Sequence, residues 1–235
     1  LECTCWGDPH CYAFDADKED KADEMYFTNY CTYTLATDGC GADPTFEISA
    51  KFKRVKPDMP KSFVERVTIY KGATEAVVLS QSPDVSYMGT TVTPPFDDSA
   101  TTGFKVYYAD SGDLPGSSWI SFAGGQIIVV EMKDGPTVYW NMIKEVKVTL
   151  PDSFSDNVCG LCGNFDGVKT NDKALGSHLW TAGVGRRFST GCPNMKFSGT
   201  YLQQAVDQQQ FIGSWFRSKD ASDQDCVEEC GGTAL

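Results

Sequence analysis

Cys159-Gly160-Leu161-Cys162-Gly163-Asn164-Phe165-Asp166-Gly167 is the stretch on which the reading of this chain turns. In a reducing compartment, beside alternating strands and helices, a CxxC pair reads as redox chemistry, and with a second CxxC it reads as zinc. Neither context is present. There is no second CxxC, and the two histidines, His10 and His178, do not sit at zinc-finger spacing. The reading left is a pair of structural disulfides. Just downstream, Asn164, Asp166, Asn171 and Asp172 put four oxygen-bearing side chains within nine residues, with Gly167 turning the chain between them. Taken alone, this set reads either as a solvated turn or as part of a hard-cation site, which needs roughly six to eight oxygens. It is not an EF-hand, because a loop begun at Asn164 has Leu175 where the bidentate Glu belongs.

The cysteines extend this reading outward. Cys3, Cys5, Cys11, Cys31 and Cys40 lie at one end, Cys159, Cys162, Cys192, Cys226 and Cys230 at the other, and none between Cys40 and Cys159. An even count clustered at both ends predicts staples between distant parts of the chain in an oxidising compartment. A chain of 235 residues buries enough apolar surface to have a core without them. The hydrophobic share, 41%, argues against disorder.

The formal charge of −12 excludes the basic footprint of a nucleic-acid binder and disfavours anionic membrane surfaces. Such acidity is read as solubility or as carboxylates that ligate a hard cation. The longest apolar run, Ile127–Val130, is far too short to span a bilayer, so no transmembrane segment is expected.

Between the cysteine clusters the texture is that of strands. Met25–Thr34 is aromatic and β-branched, and Thr45–Val55 and Ser62–Lys71 alternate apolar with polar. Glu75–Ser80, Phe104–Ala109, Trp119–Phe122, Gln126–Met132, Thr137–Trp140 and Lys144–Leu150 follow, separated by Gly, Pro, Asp and Ser. This recurrence predicts a mainly β sandwich or barrel. Tyr201–Phe216 reads as one helix, with Tyr201, Leu202, Ala205, Phe211, Ile212, Trp215 and Phe216 to one side. The expected organisation is one domain over 1–217, with 218–235 a cysteine-containing tail or the start of a following module.

The N-terminal motif is Cys3-Thr-Cys5-Trp6-Gly7-Asp8-Pro9-His10-Cys11, with Phe14-Asp15 just after it. Asp8-Pro9 is an acid-labile type of peptide bond that His10 is placed to strain or protonate; the plainer reading is a turn before a strand. Together with Cys159–Gly167, about 150 residues away, this motif resembles the von Willebrand factor type D domain over essentially Cys3 to Cys226. Members of that family are secreted or extracellular.

The resemblance implies a β-sandwich, so that with the periodic Tyr201–Phe216 stretch the expected fold is a mainly β sandwich with a helical, disulfide-linked C-terminal segment. It implies a Ca2+ site built from Asp8, Asn164, Asp166, the carbonyl near Val168, Asn171 and Asp172. It also implies the pairs Cys3–Cys162, Cys40–Cys159 and Cys31–Cys226, leaving Cys5, Cys11, Cys192 and Cys230 unassigned. The chain departs from the family pattern at Cys11, where Tyr is usual, at Ala16, where Gly is usual, and at Cys5, which is extra.

The function expected is a calcium-binding, disulfide-stabilised structural or interaction module of a larger secreted protein, partnered by other extracellular proteins or copies of itself. No enzymatic activity is expected. The sequence has neither a G-x-S-x-G elbow nor a P-loop. Two alternatives are a self-cleaving unit using Asp8, Pro9 and His10, and a ligand-binding module of an extracellular regulator or enzyme.

Overall fold

The computed structural model describes residues 1–7, 10–20, 23–26, 31–40, 43–55, 62–110, 125–172, 212 and 215–218. These residues carry β1 (Glu2–Trp6), β2 (His10–Tyr12), β3 (Met25–Tyr26), β4 (Thr32–Thr37) and β5 (Phe46–Arg54). They continue with β6 (Ser62–Lys71), β7 (Thr74–Leu79), β8 (Val85–Tyr87), β9 (Thr90–Val92) and β10 (Phe96–Asp98). The last five are β11 (Phe104–Asp110), β12 (Gln126–Met132), β13 (Thr137–Trp140), β14 (Val146–Thr149) and β15 (Phe216–Ser218).

Among the described residues the strands form two antiparallel sheets. One has eight strands in the order β10-β11-β12-β13-β14-β1-β2-β3, the other seven in the order β15-β4-β5-β6-β7-β8-β9. The period-2 alternation decides which face is buried. Phe46, Ile48, Ala50 and Phe52 of β5 and Val64, Val67 and Ile69 of β6 point into the core. Phe104, Val106, Ile128, Val130, Val138, Trp140, Val146 and Val148 meet them from the other sheet. Trp140 ties the layers by donating its indole N–H to the Ser80 carbonyl at 2.7 Å.

Two expectations change. Met25–Thr34 is not one strand: Met25–Tyr26 pairs with β2 in the eight-stranded sheet, whereas Thr32 opens β4 in the other. A continuous run of β-forming side chains hides the point where the chain changes sheets. The expected helix does not reach Phe216, which pairs with Tyr33 as the first residue of β15. Sheet pairing overrides helical periodicity there, while Tyr201–Phe211 lies outside the described residues, as does Trp119–Phe122. Among the described residues no helix is long and apolar enough to cross a membrane.

Candidate metal centre

The site is assembled where the Cys159–Asp172 segment lies against both sheets. On one side it runs along β4: Thr37 and Cys159 exchange backbone hydrogen bonds at 2.9 Å, and the Leu161 and Cys162 N–H groups donate to the carbonyls of Thr34 and Leu35. On the other side the Cys162 carbonyl accepts from the Phe14 N–H at 2.9 Å. Disulfides repeat this division. Cys159 is bonded to Cys40, and Cys162 to Cys3 in β1 of the eight-stranded sheet. Loops of 119 and 159 residues closed in this way restrict the unfolded chain by roughly 5 kcal/mol each on the entropy argument.

Two glycines make the approach possible. Gly160 has φ +136°, and a Cβ there would stand 2.2 Å from the Leu35 carbonyl oxygen. Gly163 has φ +80°, and its Cβ would stand 1.9 Å from Asp172 Oδ1. Side chains rarely adopt such φ values, and here none would have room.

The oxygen-bearing side chains meet beyond Gly163. Asp166 Oδ2 accepts from the side-chain amides of Asn164 at 3.0 Å and Asn171 at 2.6 Å, and Asp166 Oδ1 accepts from the Val168 N–H at 2.7 Å. The hydrogen bond to Asn171 leads the effects holding the Asp166 carboxyl below its usual range. The Val168 carbonyl accepts from the Asn171 N–H. Asp172 is buried, and Asn164 donates its N–H to Asp172 Oδ1 at 3.3 Å. Burial first, and then the negative charge of Asp15, pushes the Asp172 carboxyl up to about 7.

Asp15 was missing from the sequence-derived ligand set. It lies beside the cluster, its Oδ2 accepting the Asp166 N–H at 2.9 Å. Phe14 next to it packs edge-on against Phe165 with ring centroids 5.2 Å apart. The signal available was Phe14-Asp15 itself, already part of the N-terminal motif. Asp8 and Pro9 lie outside the described residues.

Three buried oxygens here have no hydrogen-bond partner among the described residues: Asp15 Oδ1, Asn164 Oδ1 and Asp172 Oδ2. Oxygens withdrawn from water without a donor are costly, and carboxylate plus amide oxygen is the donor chemistry a hard cation takes. The residues present therefore fit calcium. Among the described residues no three His, Cys, Asp or Glu side chains gather closely enough to hold an ion by themselves. The Asn164 and Asn171 amides turn their NH2 groups onto Asp166, where a cation would require their oxygens.

The surrounding charges and cysteines complete the picture. Cys5 is bonded to Cys11 directly opposite it across β1 and β2. Cys31 is also in a disulfide, while Cys226, Cys192 and Cys230 lie outside the described residues. His10 Nδ1 pairs with Glu24, and its ring stacks on Trp6. Lys169 reaches Asp23 at 2.9 Å and Asp20 at 3.5 Å, tying the acidic 15–24 stretch to the 164–172 bend.

Two antiparallel sheets, clasped through a CxxC segment that sends one disulfide to each end of the N-terminal cysteine cluster, define a disulfide-rich β module. A von Willebrand factor type D domain model matches residues 3–178. The chain belongs to that family. It is 32% identical over 184 residues to the IgGFc-binding protein of Homo sapiens, covering 74% of this chain and 3% of that protein. It is 25% identical over 236 residues to zonadhesin of Homo sapiens, covering 95% and 6%. It is 25% identical over 182 residues to mucin-2 of Mus musculus, covering 75% and 3%. The chain thus spans only a few per cent of the length of these relatives. They are secreted or extracellular proteins, and the disulfides place this chain in the same oxidising setting.

Proposed function

We propose that this chain is a calcium-rigidified structural and interaction module of a larger secreted protein, joined to other extracellular proteins or to copies of itself, with no enzymatic activity. The observation that carries the reading is the set of three buried, partnerless oxygens on Asp15, Asn164 and Asp172. A bound Ca2+ would supply the positive charge that three neighbouring carboxylates lack. Asp15, Asn164, Asp166, Asn171, Asp172 and the Val168 carbonyl would hold it, and Asp8 is the further ligand that the family resemblance implies. Its structural effect would be to lock the N-terminal motif to the 164–172 bend. Thermal unfolding of the 235-residue chain in EDTA and in millimolar Ca2+ tests this. A melting temperature that rises with Ca2+ supports the site, and an unchanged one removes it.

A second reading, scission at Asp8-Pro9, is favoured by the pairing of His10 with Glu24, since a carboxylate partner fixes the orientation of an imidazole. Cys3–Cys162 and Cys5–Cys11 would keep the two pieces joined. Intact mass spectrometry after reduction, following incubation at mildly acidic pH, tests it: loss of the mass of residues 1–8 supports scission and an unchanged mass refutes it.

A further inference from the structure

Between Asp84 and Asp97 the chain carries no Asp, Glu, Lys or Arg, although such residues make up 22% of the whole. The interval holds Thr90-Thr91-Val92-Thr93-Pro94-Pro95, hydroxyl-bearing side chains followed directly by two prolines. Ser- and Thr-rich sequence with Pro is the composition of O-glycosylated segments. The structure gives that composition a surface. Thr90–Val92 is β9, the outermost strand of the seven-stranded sheet, with β8 on one side and no strand on the other among the described residues. Thr90 and Thr91 are exposed, and neither hydroxyl has a hydrogen-bond partner among the described residues. Val92 and Phe96 pack against the core and hold the backbone in place, so Thr91, one residue before Val92, faces outward. The other exposed threonines among the described residues are differently placed. Thr45 and Thr93 donate their hydroxyls to Asp38 and Asp84, and Thr101 bonds Asp98. Thr74 and Thr170 adjoin the charged side chains of Glu75 and Lys169.

We propose that Thr90 and Thr91 are acceptor sites for O-linked N-acetylgalactosamine, added on the secretory route that this chain's extracellular setting requires. In the transfer the threonine Oγ bonds to C1 of the sugar as the bond from C1 to a nucleoside diphosphate donor breaks. The hydroxyl proton leaves with the diphosphate, and nothing is oxidised or reduced. A transferase must reach a hydroxyl together with the backbone around it. The β9 edge offers both: one flank of the strand is open, and Thr93 is confined to extended backbone by the proline that follows it. The same edge explains what the sugar does. An open strand edge is a template for pairing with another chain, and edges are commonly blunted by charge, Lys above all. β9 has no charged side chain, so bulky, hydrated glycan on Thr90 and Thr91 covers the edge instead. This site is separate from the calcium reading and does not depend on it.

The test is mass spectrometry of the tryptic peptide Gly72–Lys105 from the 235-residue chain secreted by mammalian cells. The wild-type peptide is expected to carry N-acetylhexosamine, which electron-transfer fragmentation places on Thr90 or Thr91. Thr90→Val with Thr91→Val keeps the β-branched shape and is expected to lose the modification. Thr74→Val with Thr101→Val, the same chemical change within the same peptide, is expected to keep it. Near-ultraviolet circular dichroism confirms that both variants fold. A wild-type peptide of bare mass, or a modification that persists when Thr90 and Thr91 are replaced, would overturn the site. Sedimentation reads the consequence. Wild-type chain secreted by cells lacking the N-acetylgalactosamine donor is expected to form larger species than the glycosylated chain at the same concentration. Equal sedimentation of the two would overturn the covering of the edge.

Discussion

Asp15 and Asp166, 151 residues apart in sequence, are joined by a hydrogen bond of 2.9 Å from the Asp166 N–H to the Asp15 carboxylate. One oxygen of Asp15 is thereby spent on the backbone, and the other is buried without a partner among the described residues. This division suits a residue that both shapes the bend and contributes to a cation site.

Asp15→Asn keeps the size of the side chain and removes its charge. On the proposed calcium reading, free Ca2+ a hundredfold above Kd would stabilise the wild type by about 2.7 kcal/mol. The variant is expected to lose most of that gain while its stability in EDTA changes little. Calorimetry of both proteins with and without Ca2+ checks this. Equal calcium-dependent shifts would remove Asp15 from the ligand set.

Burial pushes the Glu145 carboxyl up to about 7 from an ordinary value of 4.5, with Lys144 opposing. The folded state therefore favours the protonated acid. Its contribution is fully present below pH 4.5 and is lost as pH rises through about 7. Glu145→Gln is expected to flatten the stability profile between those values and to raise Tm at pH 8 by about 2–4 °C. Melting curves from pH 4 to 8 measure it, and parallel profiles for the two proteins would contradict it.

Gly160→Ala sets a methyl group against the Leu35 carbonyl, a backbone atom that cannot swing aside. Strain of about 1–3 kcal/mol from the left-handed φ adds to that overlap. The expected result is a loss of at least about 3 kcal/mol in urea unfolding, or failure to secrete a disulfide-bonded product. A variant of wild-type stability would show that the segment does not lie this close to β4.

Arg217 donates its Nε–H to Glu47 at 2.8 Å and covers the Tyr70 ring at 3.7 Å, while the Thr34 hydroxyl donates to the same Glu47 oxygen at 2.7 Å. Both charged side chains are buried. Arg217→Ala leaves the Glu47 charge buried and is expected to cost about 3–5 kcal/mol. Adding Glu47→Gln should recover part of it. A double-mutant cycle by urea denaturation measures the coupling, and its absence would mean that β15 is not seated on β4.

Much of the fold was legible because burial imposes alternation. Thr45–Val55 contains β5 and Ser62–Lys71 is β6, where apolar and polar side chains take turns facing the core. β1 and β2 were harder to see: their inward residues include Cys3, Cys5 and Cys11, which read as sulfur partners before they read as apolar side chains. Local spacing brought Asn164, Asp166, Asn171 and Asp172 to notice. Asp15 and Arg217 acquire their roles from partners 151 and 170 residues away, a relationship that periodicity does not encode.

The bond between Cys3 and Cys162 also decides how the module carries load. A pull applied at residue 1 and beyond residue 162 passes directly through sulfur, bypassing the 159-residue span between. Some 540 Å of contour, at about 3.4 Å per residue, is withheld from stretching. Most strands of both sheets bear none of that tension, so the module behaves as an inextensible link until the bond is reduced.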